Sequence, residues 1–301
     1  MNKLVYYIIK PHFFVIALLE RLGGWVPDGL YLRMLYLLHT GRILHLDPPV
    51  TFNEKLQWLK LNDRKPIYTT LVDKSTVKDV VSGIIGDQYI IPTLGVWDCI
   101  EDINFDMLPQ KFVLKTTHDG GGSGVVIFDK RETDIQSTNS KLEKSLKHNI
   151  YKTLREWPYK EIKPRIMAEQ YIQPLEDSET GLQDYKLFCF NGKPEFCQVK
   201  THENGNDYID LFDMDWSLLP FTGLNPQHGH APITPRKPEN LDRMVELAQK
   251  LAVYAKFERI DFYNVAGRIY FGEITFYPVS GFGEFTPDVY DKYYGEKLIL
   301  F

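Results

Sequence analysis

The feature that most constrains the fold is a pair of alternating segments near the C-terminus. Apolar and polar side chains alternate through residues 259–263 and again through 269–275, with Gly267 between the two runs. Alternation with a period of two on both sides of a glycine predicts a β-hairpin whose strands are each half buried. Successive side chains of a strand point to opposite faces, so the polar positions of both runs should share one surface. These positions are Arg259, Asp261, Glu273 and Thr275.

Two interpretations of this polar surface are open. Two carboxylates at close range repel each other unless a cation lies between them, and such oxygen ligands suit Mg²⁺ held together with substrate phosphates. A solvated face that carries a cross-strand Arg and Glu pair explains the same pattern, and for an isolated hairpin it is the preferred interpretation. The rest of the chain must decide between them.

Composition narrows the class of protein. The 301 residues suffice for two domains or one large, subdivided domain, and 44% hydrophobic content is ordinary for a globular protein. The net charge of -5 argues against nucleic acid as a partner. Three cysteines without paired spacing predict a reduced, cytoplasmic protein, with Cys189 and Cys197 in its core.

The N-terminal segment, residues 1–45, is rich in apolar residues. Two apolar runs, 4–9 and 13–19, are interrupted by Lys10, Pro11 and His12. Neither run approaches the roughly 20 residues that span a bilayer. The segment is therefore predicted to be helical and either to pack on the body of the protein or to rest on the cytoplasmic face of a membrane. The sequence leaves both open.

Residues 111–128 form a second informative stretch. Two apolar strands flank a loop with four glycines in the five positions 120–124, and Lys115 stands at the end of the first strand. Glycines let backbone N–H groups approach an anion, and a lysine adds a point charge for a phosphate. No Gly-Lys-Ser/Thr follows, so this is not a Walker loop. A Gly-rich lid over a nucleotide and a plain flexible hairpin tip are equally compatible with the pattern.

Other segments give the order of elements. Thr51 and Glu54 have the spacing of a capping box and predict a helix start. Hinge character is expected at the end of the strand that carries Glu169. Further helices are predicted over residues 66–81, 132–160 and 238–251, and further strands over 89–97, which should be buried, and 164–172.

A second hairpin is predicted over residues 184–200, around the turn dipeptide Asn191-Gly192. Alternation places Lys186 on one face, with Lys200 on the return strand. A lysine that faces inward needs a phosphate or carboxylate partner. A surface strand with two solvated lysines is the alternative, and for this segment taken alone it is the preferred interpretation.

In this order the chain resembles the ATP-grasp superfamily of carboxylate–amine ligases, and within it the TupA-like branch of teichuronopeptide biosynthesis. The matching segments are Asp73-Lys74, residues 113–115 before the Gly-rich loop, Ala168-Glu169, residues 184–194, residues 52–58, Arg259-Ile260-Asp261 and residues 270–276 with Pro278. The resemblance covers roughly residues 45 to 285. It implies an α+β ATP-grasp fold, in which two α+β subdomains clasp ATP behind an N-terminal helical region. The implied divisions are residues 1–45, 46–110, 111–168 (lid subdomain) and 169–301 (metal-binding subdomain).

The resemblance also implies roles for residues, with ATP and Mg²⁺ as cofactors. The implied catalytic residues are Arg259, Lys186 and Lys200. The implied nucleotide-binding residues are Lys74, Lys115, Gly120, Gly121, Gly122, Ser123, Gly124, Glu169, Gln170, Tyr171, Ile172, Asp184 and Lys186. The implied metal ligands are Asp261, Glu273 and Thr275, the last at a position where ATP-grasp enzymes commonly have Asn.

The implied reaction joins an amine or amino acid to the carboxylate of a sugar acid, through an acyl phosphate, in bacterial surface-polysaccharide synthesis. Two other hypotheses remain at this stage. A glycosyltransferase would need a metal-binding Asp-x-Asp, and Asp213-Met214-Asp215 is the only such triplet. A non-catalytic module would bind nucleotide or polysaccharide at a membrane through residues 1–45.

Overall fold

The computed structural model describes residues 11–173, 182–203, 205–224 and 228–301. The helices are α1 (Pro11–Leu22), α2 (Asp28–Thr40), α3 (Phe52–Asn62), α4 (Ile67–Val72), α5 (Val77–Ile85), α6 (Ile135–Leu146), α7 (Ile150–Leu154), α8 (Leu241–Leu251) and α9 (Val289–Lys297). The strands are β1 (Thr93–Trp97), β2 (Lys111–Thr116), β3 (Val125–Asp129), β4 (Ile166–Gln170), β5 (Gln183–Phe190), β6 (Lys193–Glu203), β7 (Asn206–Phe212), β8 (Thr222–Leu224), β9 (Phe257–Val265), β10 (Arg268–Thr275) and β11 (Glu284–Thr286).

A five-stranded antiparallel sheet, ordered β10-β9-β5-β6-β7, forms the larger body. It contains both predicted hairpins, which are confirmed. Arg259 pairs with Thr275 and Asp261 with Glu273, while the register shifts between Phe271 and Glu273. The extra residue at this shift is Gly272, whose added Cβ would lie 3.1 Å from the Asp261 carbonyl oxygen. A side chain at this bulge would thus crowd the neighbouring site strand, which favours glycine there.

The core of this body lies on the sheet face opposite the polar one. Helix α8 packs an apolar stripe against it, as its 3.6-residue spacing predicts. Cys189 and Cys197 are fully buried, which confirms their assignment to the core. On the site face itself, Phe188 lies opposite Arg259 in the register and stacks on Phe196 at a centroid distance of 4.3 Å. A continuous apolar layer therefore fixes the strands whose other face carries the site.

A four-stranded antiparallel sheet, ordered β1-β4-β2-β3, forms a smaller body with its own core. The predicted strands on each side of the Gly-rich loop are confirmed as β2 and β3, and Phe112 stacks on Phe128 across them at 5.0 Å. Strands β1 and β4 extend this sheet beyond both limits of the predicted 111–168 division. The division itself stays a prediction.

Three expectations about secondary structure were wrong. The helix predicted over residues 66–81 is two helices, because Asp73 Oδ1 accepts hydrogen bonds from the Ser75 amide at 2.8 Å and hydroxyl at 2.6 Å, which turns the chain between α4 and α5. The amphipathic helix predicted over residues 132–160 is likewise broken between α6 and α7. Strand β1 is mostly exposed, although its apolar sequence predicted burial, because it lies at an edge of the smaller sheet.

The N-terminal helices α1 and α2 form a third layer. Its core includes Tyr31, Leu32 and Leu35 from α2, packed on Ile16 and Leu19 from α1. The capping box predicted at Thr51 is present at the start of α3. Among the described residues, no helix is both long and apolar enough to cross a bilayer.

Candidate active site

The polar face of the β9–β10 hairpin carries the four side chains that the sequence singled out. The Arg259 guanidinium contacts Asp261 through Nε and Nη2, both at 2.7 Å. The same Nη2 lies 3.0 Å from Glu273 Oε1 and 3.0 Å from Thr275 Oγ1. The two carboxylates are thus joined by a cation, as their close approach requires. The predicted cross-strand ion pair and the predicted grouping of the carboxylates are one arrangement.

Strand β5 adds a second cation to this face. Lys186 lies opposite Asp261 in the register, and its Nζ is 2.7 Å from Asp261 Oδ2. It also donates to Asp184 Oδ2, while Asp184 Oδ1 is buried without a hydrogen-bond partner. Burial raises the pKa of Asp184, although Lys186 opposes that shift. An acceptor held in this way is suited to an incoming hydroxyl donor or cation.

Lys74 connects this face with the Gly-rich loop. It follows Asp73 in the break between α4 and α5, and its Nζ donates to the Asp119 carbonyl at 2.5 Å. The same Nζ lies 3.9 Å from Glu273 Oε2. Enclosure tends to raise the pKa of Glu273, but Lys74 and Arg259 lower it to about 2. The Glu273 carboxylate is therefore ionised at neutral pH.

Glu169 lies between two lysines of the smaller sheet and α5. Its Oε2 is 2.5 Å from Lys115 Nζ, and its Oε1 is 2.6 Å from Lys78 Nζ. The Glu169 side chain is only 5% exposed, so it acts as a buried counter-ion. Lys78 also donates to the Ile91 carbonyl at 2.7 Å and to Thr93 Oγ1 at 2.8 Å. The sequence analysis missed Lys78, whose only signal was its spacing of four residues from Lys74.

Asp119 anchors the Gly-rich loop and was also missed. Its carboxylate accepts hydrogen bonds from the Gly120 amide at 2.9 Å, the Ser145 hydroxyl at 2.6 Å, the Ser123 hydroxyl and His148 Nδ1 at 2.9 Å. Burial opposes ionisation, but these donors hold the pKa of Asp119 well below its usual range. Gly121 and Gly122 have φ of 64° and 74°, and both are exposed. A fixed base therefore supports a loop with an open tip.

Two tyrosines that the sequence analysis did not select adjoin the site. Tyr263 follows Asp261 on the same face of β9 and lies opposite Asp184. Burial raises its pKa well above the usual value, and Asp184 and nearby carboxylates add to this shift. Tyr159 is within electrostatic reach of Glu273 and Arg259. Period-two alternation already places Tyr263 on the face of Asp261, whereas no motif marks Tyr159, whose position depends on the tertiary fold.

Other predicted residues lie at the margin. Lys200 is opposite Asp184 in the β5–β6 register, but its Nζ pairs with Asp207 at 2.7 Å toward β7. Gln170 is exposed at the end of β4, and Ile172 is half-buried. The Tyr171 ring lies under Lys111, with Nζ 4.2 Å from its centroid. The structure thus does not bring Lys200 or Tyr171 to the carboxylates of the hairpin.

The donor set of the hairpin is compatible with Mg²⁺. No group of three or more His, Cys, Asp or Glu side chains in the described parts of the chain could hold a metal alone. Mg²⁺ does not need one, because it commonly takes one or two carboxylates and completes its shell with water and substrate phosphates. Asp261 and Glu273 supply such a pair, and the unpartnered Asp184 Oδ1 lies on the same sheet face.

The fold and this site together define a class: two antiparallel α+β bodies, a Gly-rich loop on one, and lysines with paired carboxylates on the other. The profile of the TupA-like ATP-grasp family matches residues 54–299. The chain therefore belongs to the TupA-like ATP-grasp family, which confirms the predicted family and its α+β fold class.

Outside this family, the similarities of the chain to known proteins are weak. None of the curated proteins matches the chain. D-alanine–D-alanine ligase from Bacillus anthracis in complex with ATP is 18% identical over 70% of this chain and 54% of that one, with a TM-score of 0.38. The ADP complex of N5-carboxyaminoimidazole ribonucleotide synthetase is 15% identical over 74% and 50%, at 0.45. L-amino acid ligase from Bacillus licheniformis is 14% identical over 76% and 49%, at 0.44. The chain spans about half the length of these enzymes, and similarity at this level does not indicate which substrates this chain uses.

Proposed function

We propose that the protein uses ATP and Mg²⁺ to join a carboxylate to an amine through an acyl phosphate. The carboxylate would belong to a sugar acid and the amine to an amino acid or a simple amine, in the synthesis of a bacterial surface polysaccharide. Membership of the TupA-like ATP-grasp family supports the ligase activity. The substrates and the pathway are proposals that rest on the resemblance to the teichuronopeptide branch.

One observation carries the proposal. Lys74 Nζ contacts the Asp119 carbonyl at the base of the Gly-rich loop and also approaches Glu273 on the β9–β10 hairpin. A phosphate chain that lies under the loop and reaches the carboxylate pair must pass this ammonium. A solvated salt-bridge face would not need a lysine shared between two separate sheets.

The roles of the residues follow from their positions. Lys74 and Lys115 would neutralise phosphate charge, and residues 120–124 would close over the phosphates. Glu169 would orient Lys115, since it holds that ammonium at 2.5 Å. The backbone of residues 169–172 would face the adenine, and Asp184 the ribose.

At the other end of the site, Asp261 and Glu273 would hold Mg²⁺, with Thr275 as a weaker or water-mediated contact. The metal ion would neutralise charge on the transferred phosphoryl group. Arg259 and Lys186 would contact that group and keep it aligned with the acceptor carboxylate. Lys200 stays a prediction as a catalytic residue, because its ammonium is paired with Asp207. Exclusion of water by the loop would protect the acyl phosphate.

The test is release of ADP from Mg-ATP with a panel of uronic acids and amino acids. Glu273→Gln should lower turnover by about a hundredfold or more, because it weakens the metal site. Glu246→Gln on the exposed face of α8 is the matched control and should leave turnover unchanged. Absence of both ATP binding and ADP release across the panel would refute the function, and full activity of Glu273→Gln would refute the metal assignment.

The glycosyltransferase hypothesis finds no support at its triplet. Asp213 Oδ1 accepts hydrogen bonds from the amides of Asp215 at 3.0 Å and Ser217 at 2.7 Å, so this carboxylate caps the turn after β7. Release of UDP from a nucleotide sugar would nevertheless revive this hypothesis.

We also propose a membrane surface as partner for residues 1–45. This segment carries five Lys or Arg and two Asp or Glu, a net charge of +3 against -5 for the whole chain. Helices α1 and α2 and the turn between them expose apolar side chains outside the core layer. These side chains are Val15, Leu18, Leu22, Trp25, Leu30, Met34 and Leu37. Apolar side chains flanked by positive charge suit an anionic lipid surface.

Co-sedimentation with phosphatidylcholine vesicles, with and without phosphatidylserine, tests this contact. Trp25→Ser should weaken binding to the anionic vesicles, since Trp25 is 97% exposed. Val253→Ser, at an exposed apolar residue in the loop after α8, is the control. Equal binding by both variants would refute the proposed surface.

A further inference from the structure

The chain takes an unusual backbone conformation directly after the site strand β10. Val279, Ser280 and Gly281 have φ of 48°, 54° and 67°. A β-branched residue such as Val rarely adopts a positive φ, so surrounding contacts must hold this turn. We call residues 278–283 the post-strand turn.

Helix α3 supplies those contacts. Gln57 Nε2 donates to the carbonyls of Ser280 at 2.9 Å and Gly281 at 2.8 Å. Lys60 Nζ donates to the Ser280 carbonyl at 2.8 Å and to its hydroxyl at 2.7 Å. Asn53 Nδ2 donates to the Gly283 carbonyl at 2.7 Å. The spacing of three and four residues places these donors on one face of α3, the helix whose sequence carries the family resemblance.

Lys60 is the central member of this contact. It is fully buried, and its third acceptor is the Leu154 carbonyl at 3.0 Å. The Phe282 ring lies 4.8 Å from the ammonium. The neighbouring carboxylate is Glu156, which is also buried. A lysine is costly to bury, so a complete set of partners here indicates a fixed geometry.

The post-strand turn follows the Arg259 end of the site face. Along β9 the site face runs from Tyr263, near Asp184, through Asp261 to Arg259, about 13 Å at the usual rise of a strand. Arg259 pairs with Thr275, and Pro278 follows Thr275 by three positions, a reach of about 10 Å. If the base lies near Asp184 and the transferred phosphoryl group near Arg259, the turn lies beyond that group.

We propose that Lys60 is a positioning residue, which fixes the acceptor end of the site through the carbonyl and hydroxyl of Ser280. This inference rests on the proposed ligase function. Lys60 itself touches no reacting atom in this arrangement. Its loss should free the turn and misalign the acceptor, while the nucleotide end stays intact.

The test compares Lys60→Met with Lys55→Met. Lys55 lies on the same helix and also donates to a carbonyl, that of Leu298 at 2.8 Å, away from the turn. In Lys60→Met, amide exchange within residues 278–283 should rise by about tenfold or more, as expected for loss of hydrogen bonds to a charged donor. Binding of Mg-ATP should stay within about twofold of the parent. The kcat/KM for the best uronic acid of the panel should fall by about tenfold or more, with an unchanged KM for ATP.

Each outcome decides a separate point. Unchanged exchange in the turn, or unchanged kinetics for the carboxylate despite a mobile turn, would overturn the role of Lys60. Equal effects of Lys55→Met would show a merely structural role and would also overturn it. If Lys60→Met does not fold, Ser280→Ala, which removes only the hydroxyl acceptor, is judged by the same measurements. Failure of the parent protein to bind Mg-ATP would refute the ligase function, whereas the exchange experiment would still decide whether Lys60 holds the turn.

Discussion

Replacement of Lys78 by Met tests the buried charge arrangement most directly. The variant keeps the length of the side chain and removes the ammonium that lies 2.6 Å from Glu169 Oε1. It also leaves the Ile91 carbonyl and Thr93 hydroxyl without this donor. Glu169 retains Lys115 as a partner, so its buried carboxylate loses one of two counter-ions.

The expected magnitude follows from these contacts. Complete loss of the partner of a buried charge costs about 3–5 kcal/mol, and a hydrogen bond to a charged group contributes about 1.5–3 kcal/mol. Because one lysine remains, Lys78→Met should lower the free energy of unfolding by about 2–4 kcal/mol. Lys163→Met is the matched control: its ammonium is also 2.6 Å from a carboxylate, that of Asp98, but both side chains are more than half exposed. That control should cost no more than about 1 kcal/mol.

Urea unfolding of Lys78→Met, Glu169→Gln and the double variant measures the coupling. The two single effects should not add, because both variants remove the same ion pair, and the coupling energy should be about 1–3 kcal/mol. A loss for Lys78→Met no larger than that for Lys163→Met would refute the assignment of Glu169 as a buried counter-ion. Additive effects would refute the direct interaction.

Three further predictions concern other groups. Burial raises the pKa of Glu258 from 4.5 to about 8, so the contribution of this group to stability is fully present below pH 4.5 and is lost as pH rises toward 8. Glu258→Gln should therefore gain stability relative to the parent over that window, by at most about 1.4 kcal/mol per pH unit, as measured in thermal melts at pH 5 and pH 8. Burial raises the pKa of the thiols of Cys189 and Cys197, so a thiol reagent should modify only Cys99 in the native protein and all three cysteines in denaturant; rapid native labelling of a second thiol would contradict this core. Asp119→Asn should cost about 2–3 kcal/mol in urea unfolding, because an amide cannot accept from four donors, and should increase amide exchange in residues 120–124; an unchanged loop would contradict its role as anchor.

Much of the fold could be predicted because its signals are local. Period-two alternation gave β9 and β10, and Asn191-Gly192 gave the turn between β5 and β6, since each depends on a few neighbouring residues. The same alternation placed Arg259 and Asp261 on one face. The break between α4 and α5 was missed because it depends on the Asp73 side chain, which accepts a hydrogen bond from the Ser75 amide. Such a contact competes with helix formation and gives no periodic signal in the sequence.

The supporting residues of the site could not be predicted for a different reason. Lys60, Lys78 and Asp119 each bind groups that are distant in sequence, such as Ser280 for Lys60 at a separation of 220 residues. A lysine on an amphipathic helix is usually solvated, so local pattern favours the wrong interpretation. Only the packing of α3 and α5 against the two sheets shows that these ammonium groups are enclosed.

The cations of the site already have anionic partners, which bears on how a nucleotide would bind. Burial lowers the pKa of Lys74, and Glu273 opposes that shift. Lys115 is likewise held at 2.5 Å from Glu169. A phosphate chain that reached these lysines would share or displace the carboxylates that already lie beside them. Asp261 and Glu273 would hold Mg²⁺ in the proposed function, and the Arg259 guanidinium, which contacts both carboxylates, would then be available to the phosphoryl group. In this arrangement the internal ion pairs hold the cations in place before the nucleotide binds, which is the preorganisation that the proposed transfer requires.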